Sequence, residues 1–461
     1  MRIGISGAYR VRVLNVLLLL GGLAVFNSQA APADELLSLR ERAQVQDTLL
    51  AKRVEQLLPQ LMARSGIDMW LMISREYNED PVLRTFLPAD WLQTARRTTI
   101  LVIARDDQGK VHTLAVAPYK VGSMFERAWD KSAQPDQWQA LNAIIERFDP
   151  KSIGVNQSEI WAHADGLTVT DRASLMAELP EKYQSLVVSA EALAVGWLET
   201  RIDAEIAHYK KMVAVAHQII AEGFSAKTIT VGKTTTDDLV WWFRERVAEL
   251  KLSTWFHPSV SLQRSDNQRF DHEATFDDDK AEVIMPGDLL HVDFGITYLG
   301  LNTDTQQHAY ILMPGESSAP EYLQQALQKG NQLQDIFTGE FAAGRTGNEV
   351  LASSLAKAKA AGLKPTIYTH PLGYHGHAAG TTLGMWDKQG GVPGDGDYPL
   401  HMNTAYSIEL NNAVMVEAWG KEIRIMLEED AFFDDTGVWY LDGRQTRLIE
   451  IPSRSVFTHQ F

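Results

Sequence analysis

Residues 289–312 read LLHVDFGITYLGLNTDTQQHAYIL, and how this stretch pairs with itself decides the fold. Apolar and β-branched residues fill both arms, Leu289 to Phe294 and Thr303 to Leu312, while Gly295 and Gly300 punctuate the middle, a strand–turn–strand pattern. With the turn centred between Tyr298 and Leu299, positions summing to 597 face each other, so Asp293 and Asp304 form a direct cross-strand pair. Their Cβ atoms would lie roughly 5 Å apart, where two like charges destabilise a sheet. A divalent cation between them would remove that cost, because oxygen-rich sites suit Mg, Ca or Mn, and a two-metal hydrolase needs a carboxylate that bridges ions about 3.5 to 4 Å apart. Two unrelated aspartates at a surface hairpin would give the same pattern, since Asp is common in turns.

The rest of the chain bounds what such a site can serve. Its 461 residues suffice for two or three domains, and 45% hydrophobic with 22% charged residues is an ordinary globular composition. Residues 1–30 differ: Arg2, Arg10 and Arg12 precede the apolar run Val13 to Phe26, and Ser28-Gln29-Ala30 before Ala31 is a small-x-small cleavage pattern. This predicts a secretory signal peptide and an exported, periplasmic or secreted protein with no membrane attachment after cleavage; the run is short for a membrane span. Losing three arginines and no acids would move the formal charge from −16 to −19. So acidic a surface disfavours nucleic acid and anionic lipid as partners. There is no cysteine, hence neither a disulfide nor a lipid anchor through one.

From 31 to 198 short β-rich runs alternate with helical ones: strands at Asp68 to Ile73, Thr98 to Ile103 and His112 to Val116, and a helix at Asp136 to Arg147. This is an α/β domain with no recognisable cluster of metal-ligand residues. A second domain, 199–461, begins near Glu199. Ile202, Ile206, Tyr209, Val213, Ala216 and Ile220 mark one face of a helix ending at Gly223; Leu239 to Leu250 mark a second, with Thr236 and Asp237 as caps. Glu349 to Ala361 is a third, terminated by Gly362. Helices segregated from hairpins argue for α+β with an antiparallel sheet.

Three further segments carry ligand-type side chains. Thr369-His370-Pro371-Leu372-Gly373-Tyr374-His375-Gly376-His377 places three histidines within eight positions, a density that suits metal or substrate contact. In Ala405 to Leu410, strand alternation puts Glu409 on the face opposite Tyr406, Ile408 and Leu410. In Ile423 to Phe432, Glu428 shares a face with Arg424 and Met426, whereas Glu429 shares one with aliphatics, so Glu428 is the residue that faces a site.

The order Asp, Asp eleven residues on, Gly-His-x-x-Gly, a strand Glu, then Glu followed by Asp resembles the pita-bread metallopeptidases, which include methionine aminopeptidase, aminopeptidase P and prolidase. The resemblance covers roughly 200 to 450, and the preceding domain is similar to the creatinase-type N-terminal domain of aminopeptidase P and prolidase. It implies an α+β pita-bread catalytic domain binding two divalent ions, Mn above Co or Zn. Asp293 would bind one, His377 and Glu409 the other, with Asp304 and Glu428 bridging. Gly376-His377-Ala378-Ala379-Gly380 matches the ligand motif, which favours His377 over His375. His272 stands where the family has a substrate-side histidine, and His370 or His375 could donate to a developing oxyanion. Two departures stand out. The family's second histidine, seven residues after the ligand, would fall at Gly384, and the one normally four residues before it is displaced to His370.

The implied activity is metal-dependent peptide hydrolysis at an Xaa-Pro bond, as an aminopeptidase or dipeptidase, with a water activated by the two ions and Glu409 as proton shuttle. A homodimer is expected from the resemblance alone. Two alternatives stay open: a pita-bread hydrolase of non-proline or non-peptide substrates, and a non-catalytic binding protein that has kept the fold. The loop Gln389 to Asp397 could line a substrate mouth or be an ordinary surface loop.

Overall fold

The computed structural model describes residues 32–265 and 281–453, so the segment read as a signal peptide, and His272, lie outside the described residues. Among the described residues no helix is long and apolar enough to cross a membrane.

The N-terminal half is built on a six-stranded sheet, in the order β4-β3-β2-β1-β5-β6. Its strands are β1 (Met69–Arg75), β2 (Thr98–Arg105), β3 (Val111–Val116), β4 (Glu126–Arg127), β5 (Ile153–Val155) and β6 (Val187–Ser189). The first six residues of β1 are buried, the mark of a strand covered on both faces. It runs antiparallel to β2 and parallel to β5. The expected strands and the helix, observed at Gln137–Phe148, are present with ends shifted by one or two residues.

In the second half the helix Asp203–Gly223 buries Ile206, Tyr209, Val213, Ala216 and Ile220, as its spacing requires. The helix Thr236–Glu249 is capped by Thr235 rather than by Thr236 and Asp237. The Thr235 hydroxyl accepts from the Asp238 amide, and the Asp238 carboxylate accepts from the Thr235 amide. Gly347–Ala360 ends just before Gly362, whose φ of +77° stops it. The helix Glu321–Thr338 was not anticipated. Its Gly330 lets it lie directly on the sheet, since a Cβ there would sit 2.8 Å from Leu427.

These helices cover one face of a nine-stranded sheet with the path β12-β14-β15-β11-β8-β7. The path uses β7 (Ser259–Gln263), β8 (Leu289–Phe294), β11 (Thr305–Ile311), β12 (Pro365–Ile367), β14 (Thr404–Val416) and β15 (Lys421–Asp434); β13 (His370–Leu372) also pairs with β14. Between β8 and β11 a short hairpin is formed by β9 (Thr297–Tyr298) and β10 (Leu301–Asn302). Ile408, Leu410, Ile423, Ile425 and Leu427 point to the helices and join one core, so Glu409 and Glu428 face the other way, as alternation predicted. Glu429 lies on the helix side, bonded to His217 at 2.8 Å.

The hairpin register differs from the expected one. Tyr298 pairs with Leu301, and Leu299 and Gly300 form the turn with φ of +55° and +77°, the two left-handed residues a type I′ hairpin demands. Asp293 therefore faces Gln306, and Asp304 is its diagonal neighbour rather than its direct partner. Moving the turn by one residue moves every partner by two, which keeps each side chain on its face. The two aspartates still converge.

The two halves dock through buried charge. Arg53 Nη1 reaches Glu205 at 2.7 Å and Arg201 Nη1 reaches it at 3.0 Å, and both guanidiniums flank the Tyr374 ring, 5.3 and 5.0 Å from its centroid. Trp161 Nε1 donates to the Gly380 carbonyl at 3.3 Å, and His163 packs on His375, with ring centroids 4.4 Å apart.

Gly300→Val, a β-branched residue forced to positive φ where no backbone crowds it, should cost about 1–2 kcal/mol in a urea melt. An unchanged midpoint would mean that the turn is not left-handed.

Candidate metal centre

One row of residues crosses four strands: Asp293 on β8 faces Gln306 on β11, Gln306 faces Glu428 on β15, and Glu428 faces Glu409 on β14. Asp304, just before β11, adds a fourth carboxylate on this face, and its amide is held by Asp430 Oδ1 at 3.1 Å. Ligand atoms of Asp293, Asp304 and Glu428 lie within 4.8 Å of one another, as do those of His370, Glu409 and Glu428, and those of Asp304, His370 and His377. Among the described residues, no lysine or arginine pairs with any of the four carboxylates.

His370 is the histidine at the centre of the group. Its Nε2 lies 3.6 Å from Glu428 Oε1, 3.7 Å from Asp304 Oδ2 and 3.9 Å from Glu409 Oε2. Its Nδ1 donates to the Pro371 carbonyl at 3.1 Å, and its Nε2 is aimed at three acids with no hydrogen-bond partner. An Nδ1–H held by a carbonyl is the usual setting of a metal-bound imidazole. Asp293 Oδ1 and Asp304 Oδ1 are likewise buried without a partner. The donor set of carboxylates and one imidazole fits two divalent cations.

The electrostatics point the same way. Asp293, Asp304 and Glu409 are all pushed well above the usual carboxylate range, first by loss of water and then by the charge of Glu428. Asp430 behind them is raised chiefly by burial. His377 stands at the exposed edge, its ring 4.5 Å from that of His370. Loss of water around the ring, together with His370, lowers its pKa to about 4, so the imidazole is neutral.

Both His370 and His377 come within reach of Asp304, with His370 the one that also approaches Glu409 and Glu428. His370 sits among the carboxylates, and His370-Pro371-Leu372-Gly373 is itself a His-x-x-Gly whose seven-residue interval ends on His377. Gly384 could not have held the second histidine: its φ is +83°, and a Cβ would lie 2.2 Å from the Ile367 carbonyl. His375 is not in the cluster. It packs on His163 of the N-terminal half, and burial lowers its pKa to about 3.

Two participants escaped sequence reasoning. Gln306 Nε2 donates to Glu409 Oε1 at 2.5 Å and to Glu428 Oε2 at 2.7 Å. Trp255 donates from Nε1 to the Thr303 carbonyl at 2.9 Å and packs edge-on against His377; a Cβ on Gly376 would overlap its ring. The loop 389–397 is bound at Val392 and Asp397 by Asn348.

Residues 207–431 match Metallopeptidase family M24. Solved structures similar to this chain include an X-Pro aminopeptidase from Thermotoga maritima MSB8, with TM-score 0.58 and 15% identity, covering 85% of this chain and 99% of that one. An Xaa-Pro dipeptidase from Bacillus anthracis gives TM-score 0.51 and 16% identity, with 90% and 100% covered. A histidine-to-alanine variant of Escherichia coli aminopeptidase P gives 0.54 and 15%, with 89% and 97% covered. No curated protein matches in sequence. The family match covers residues 207–431, and the similar structures share the fold of both halves of the chain, the pita-bread domain and the smaller domain before it.

In the metal-free protein the raised carboxyls bind more protons folded than unfolded, so stability falls as pH rises from their unfolded pKa near 4 through the folded values. Between about pH 7.5 and 9, where the histidines of lowered pKa are largely neutral in both states, the melting temperature in chelator should drop. His217, raised to about 10 by Asp442 and Glu429 against its burial, loses stability in the same direction with or without metal. Only the part of the drop that excess Mn2+ abolishes belongs to the cluster, and a slope insensitive to cation would contradict this account.

Proposed function

We propose that this chain is a peptidase cleaving Xaa-Pro bonds, with two divalent cations held by Asp293, Asp304, Glu409, Glu428 and His370. The observation that carries this reading is the convergence of Asp304, Glu409 and Glu428 on a histidine nitrogen with no hydrogen-bond partner, with Asp293 beside Asp304 and Glu428. Mn2+ suits so oxygen-rich a set, with Co2+ or Zn2+ as substitutes. Bound there, the ions would lower the pKa of a water and polarise a peptide carbonyl.

The chain's own residues have separate tasks. Glu409, its carboxylate steadied by Gln306, takes the proton of the attacking water and returns it to the departing amine. Neutral His377 at the exposed edge donates to the scissile carbonyl as charge develops on its oxygen. Trp255 beside it offers an apolar wall to a proline ring. The proline preference is further supported by similar structures named as X-Pro aminopeptidase and Xaa-Pro dipeptidase. Export, from residues 1–30, and a homodimer, from the family resemblance, complete the proposal.

Purified protein reconstituted with Mn2+, Co2+ or Zn2+ should hydrolyse Xaa-Pro di- and tripeptides faster than non-proline analogues, and a metal-loaded protein indifferent to proline would refute the specificity. His370→Ala should lose bound metal and activity together. His377→Ala should keep its metal content while kcat falls about 100- to 1000-fold, as for loss of one oxyanion donor. The reverse pattern in metal analysis would restore His377 as the ligand.

A further inference from the structure

We infer that Gln306 is a positioning residue: its amide decides which oxygens of Glu409 and Glu428 are presented to the cations, and His291 in turn holds that amide. The inference rests on the reading of this site as a cation site. Ionised carboxylates only accept, so the Gln306 NH2 must be the end that faces Glu409 and Glu428. The side-chain oxygen then faces His291 Nε2 at 2.8 Å, and that nitrogen must donate. The other ring nitrogen, Nδ1, lies 3.3 Å from the Ser261 hydroxyl. A line of hydrogen bonds therefore runs from Ser261 on β7 through His291 on β8 and Gln306 on β11 to the two glutamates on β14 and β15.

This line sorts the carboxylate oxygens. Gln306 takes Oε1 of Glu409 and Oε2 of Glu428, and the other oxygen of each is turned toward His370 Nε2 at 3.9 and 3.6 Å. The Ser407 hydroxyl steadies Glu428 from its other side. No other uncharged side chain replaces an amide here. An aliphatic residue would leave both inner oxygens without a donor, and a carboxylate would place a like charge directly opposite Glu428. Gln306 is 3% exposed, so bulk solvent does not supply these donors in the intact protein.

The test compares metal-stripped wild type, Gln306→Ala and His291→Phe by calorimetric titration with Mn2+, by the visible absorption of the Co2+-loaded proteins and by thermal melting without metal. Losing an outer partner of metal ligands typically costs 10- to 100-fold in affinity, so Gln306→Ala should bind Mn2+ that much more weakly and shift the Co2+ bands. His291→Phe keeps the amide but frees its carbonyl, and should show a smaller weakening of the same sign. If Gln306→Ala does not fold, His291→Phe decides alone. A variant that melts lower yet binds Mn2+ with the wild-type Kd and gives the wild-type Co2+ spectrum overturns the inference, because a merely structural role predicts that result. Wild type that takes up no cation would instead bring down the reading on which the inference stands.

Discussion

Where β11 meets β15 the strands share a single ladder pair, Gln306 opposite Glu428, and the C-terminal half of the molecule is arranged around that junction. On either side of it the strands diverge and side chains replace the ladder. Met426 N donates to His308 Nε2 at 3.0 Å, the Gln263 amide takes both the N–H and the C=O of Arg424, and Asp430 receives the Asp304 amide. His308 can accept because burial drives its pKa down to about 4 and leaves the imidazole neutral. A regular ladder here would have paired the two strands along their length. The parted strands instead leave room on one face for several acids a few ångströms apart, while the other face is sealed by apolar packing under the helices.

That arrangement opposes folding locally. Like charges directly opposite in a sheet repel, and each carboxyl loses water as well, so a metal-free protein carries the cost at this one place. The surrounding structure over-determines the geometry: Asp304 is held by its backbone, Glu428 from both sides by Gln306 and Ser407, and His370 through its Nδ1. Binding energy for cations can then go into affinity rather than into rearranging ligands.

Much of this was legible in the sequence because it rests on periodicity. Alternation placed Glu409 and Glu428 on the same face and Glu429 on the other, and it tolerated an error in the turn, since a shift of two in pairing does not change faces. The register itself depended on Leu299 adopting positive φ, which nothing in a leucine announces. The histidines show a different limit. Two His-x-x-Gly patterns begin at His370 and His377, and the flanking glycine that favoured the second is explained by the close approach of Trp255 to Gly376. Only the pairing of β13 with β14, which sets His370 opposite Ser407 and two residues from Glu409, separates them. Gln306 was invisible because one glutamine in a polar strand carries no pattern of its own.

Among the described residues the N-terminal half offers no carboxylate or imidazole to the cluster, yet its contacts fall on the segment that carries the histidines. Tyr374 is clasped between Arg53 and Arg201, His375 lies on His163, and Gly380 is held by Trp161, so residues 373–380 are gripped at three points. Two arginines sharing one buried glutamate are costly to separate, since breaking such a group strands a charge away from water. The same group fixes the loop between His370, which is anchored in a strand, and His377, which is not. The distance from His377 to the carboxylates is therefore set by packing between the two halves of the chain, and the first half acts on the site by holding the residue at its edge in place.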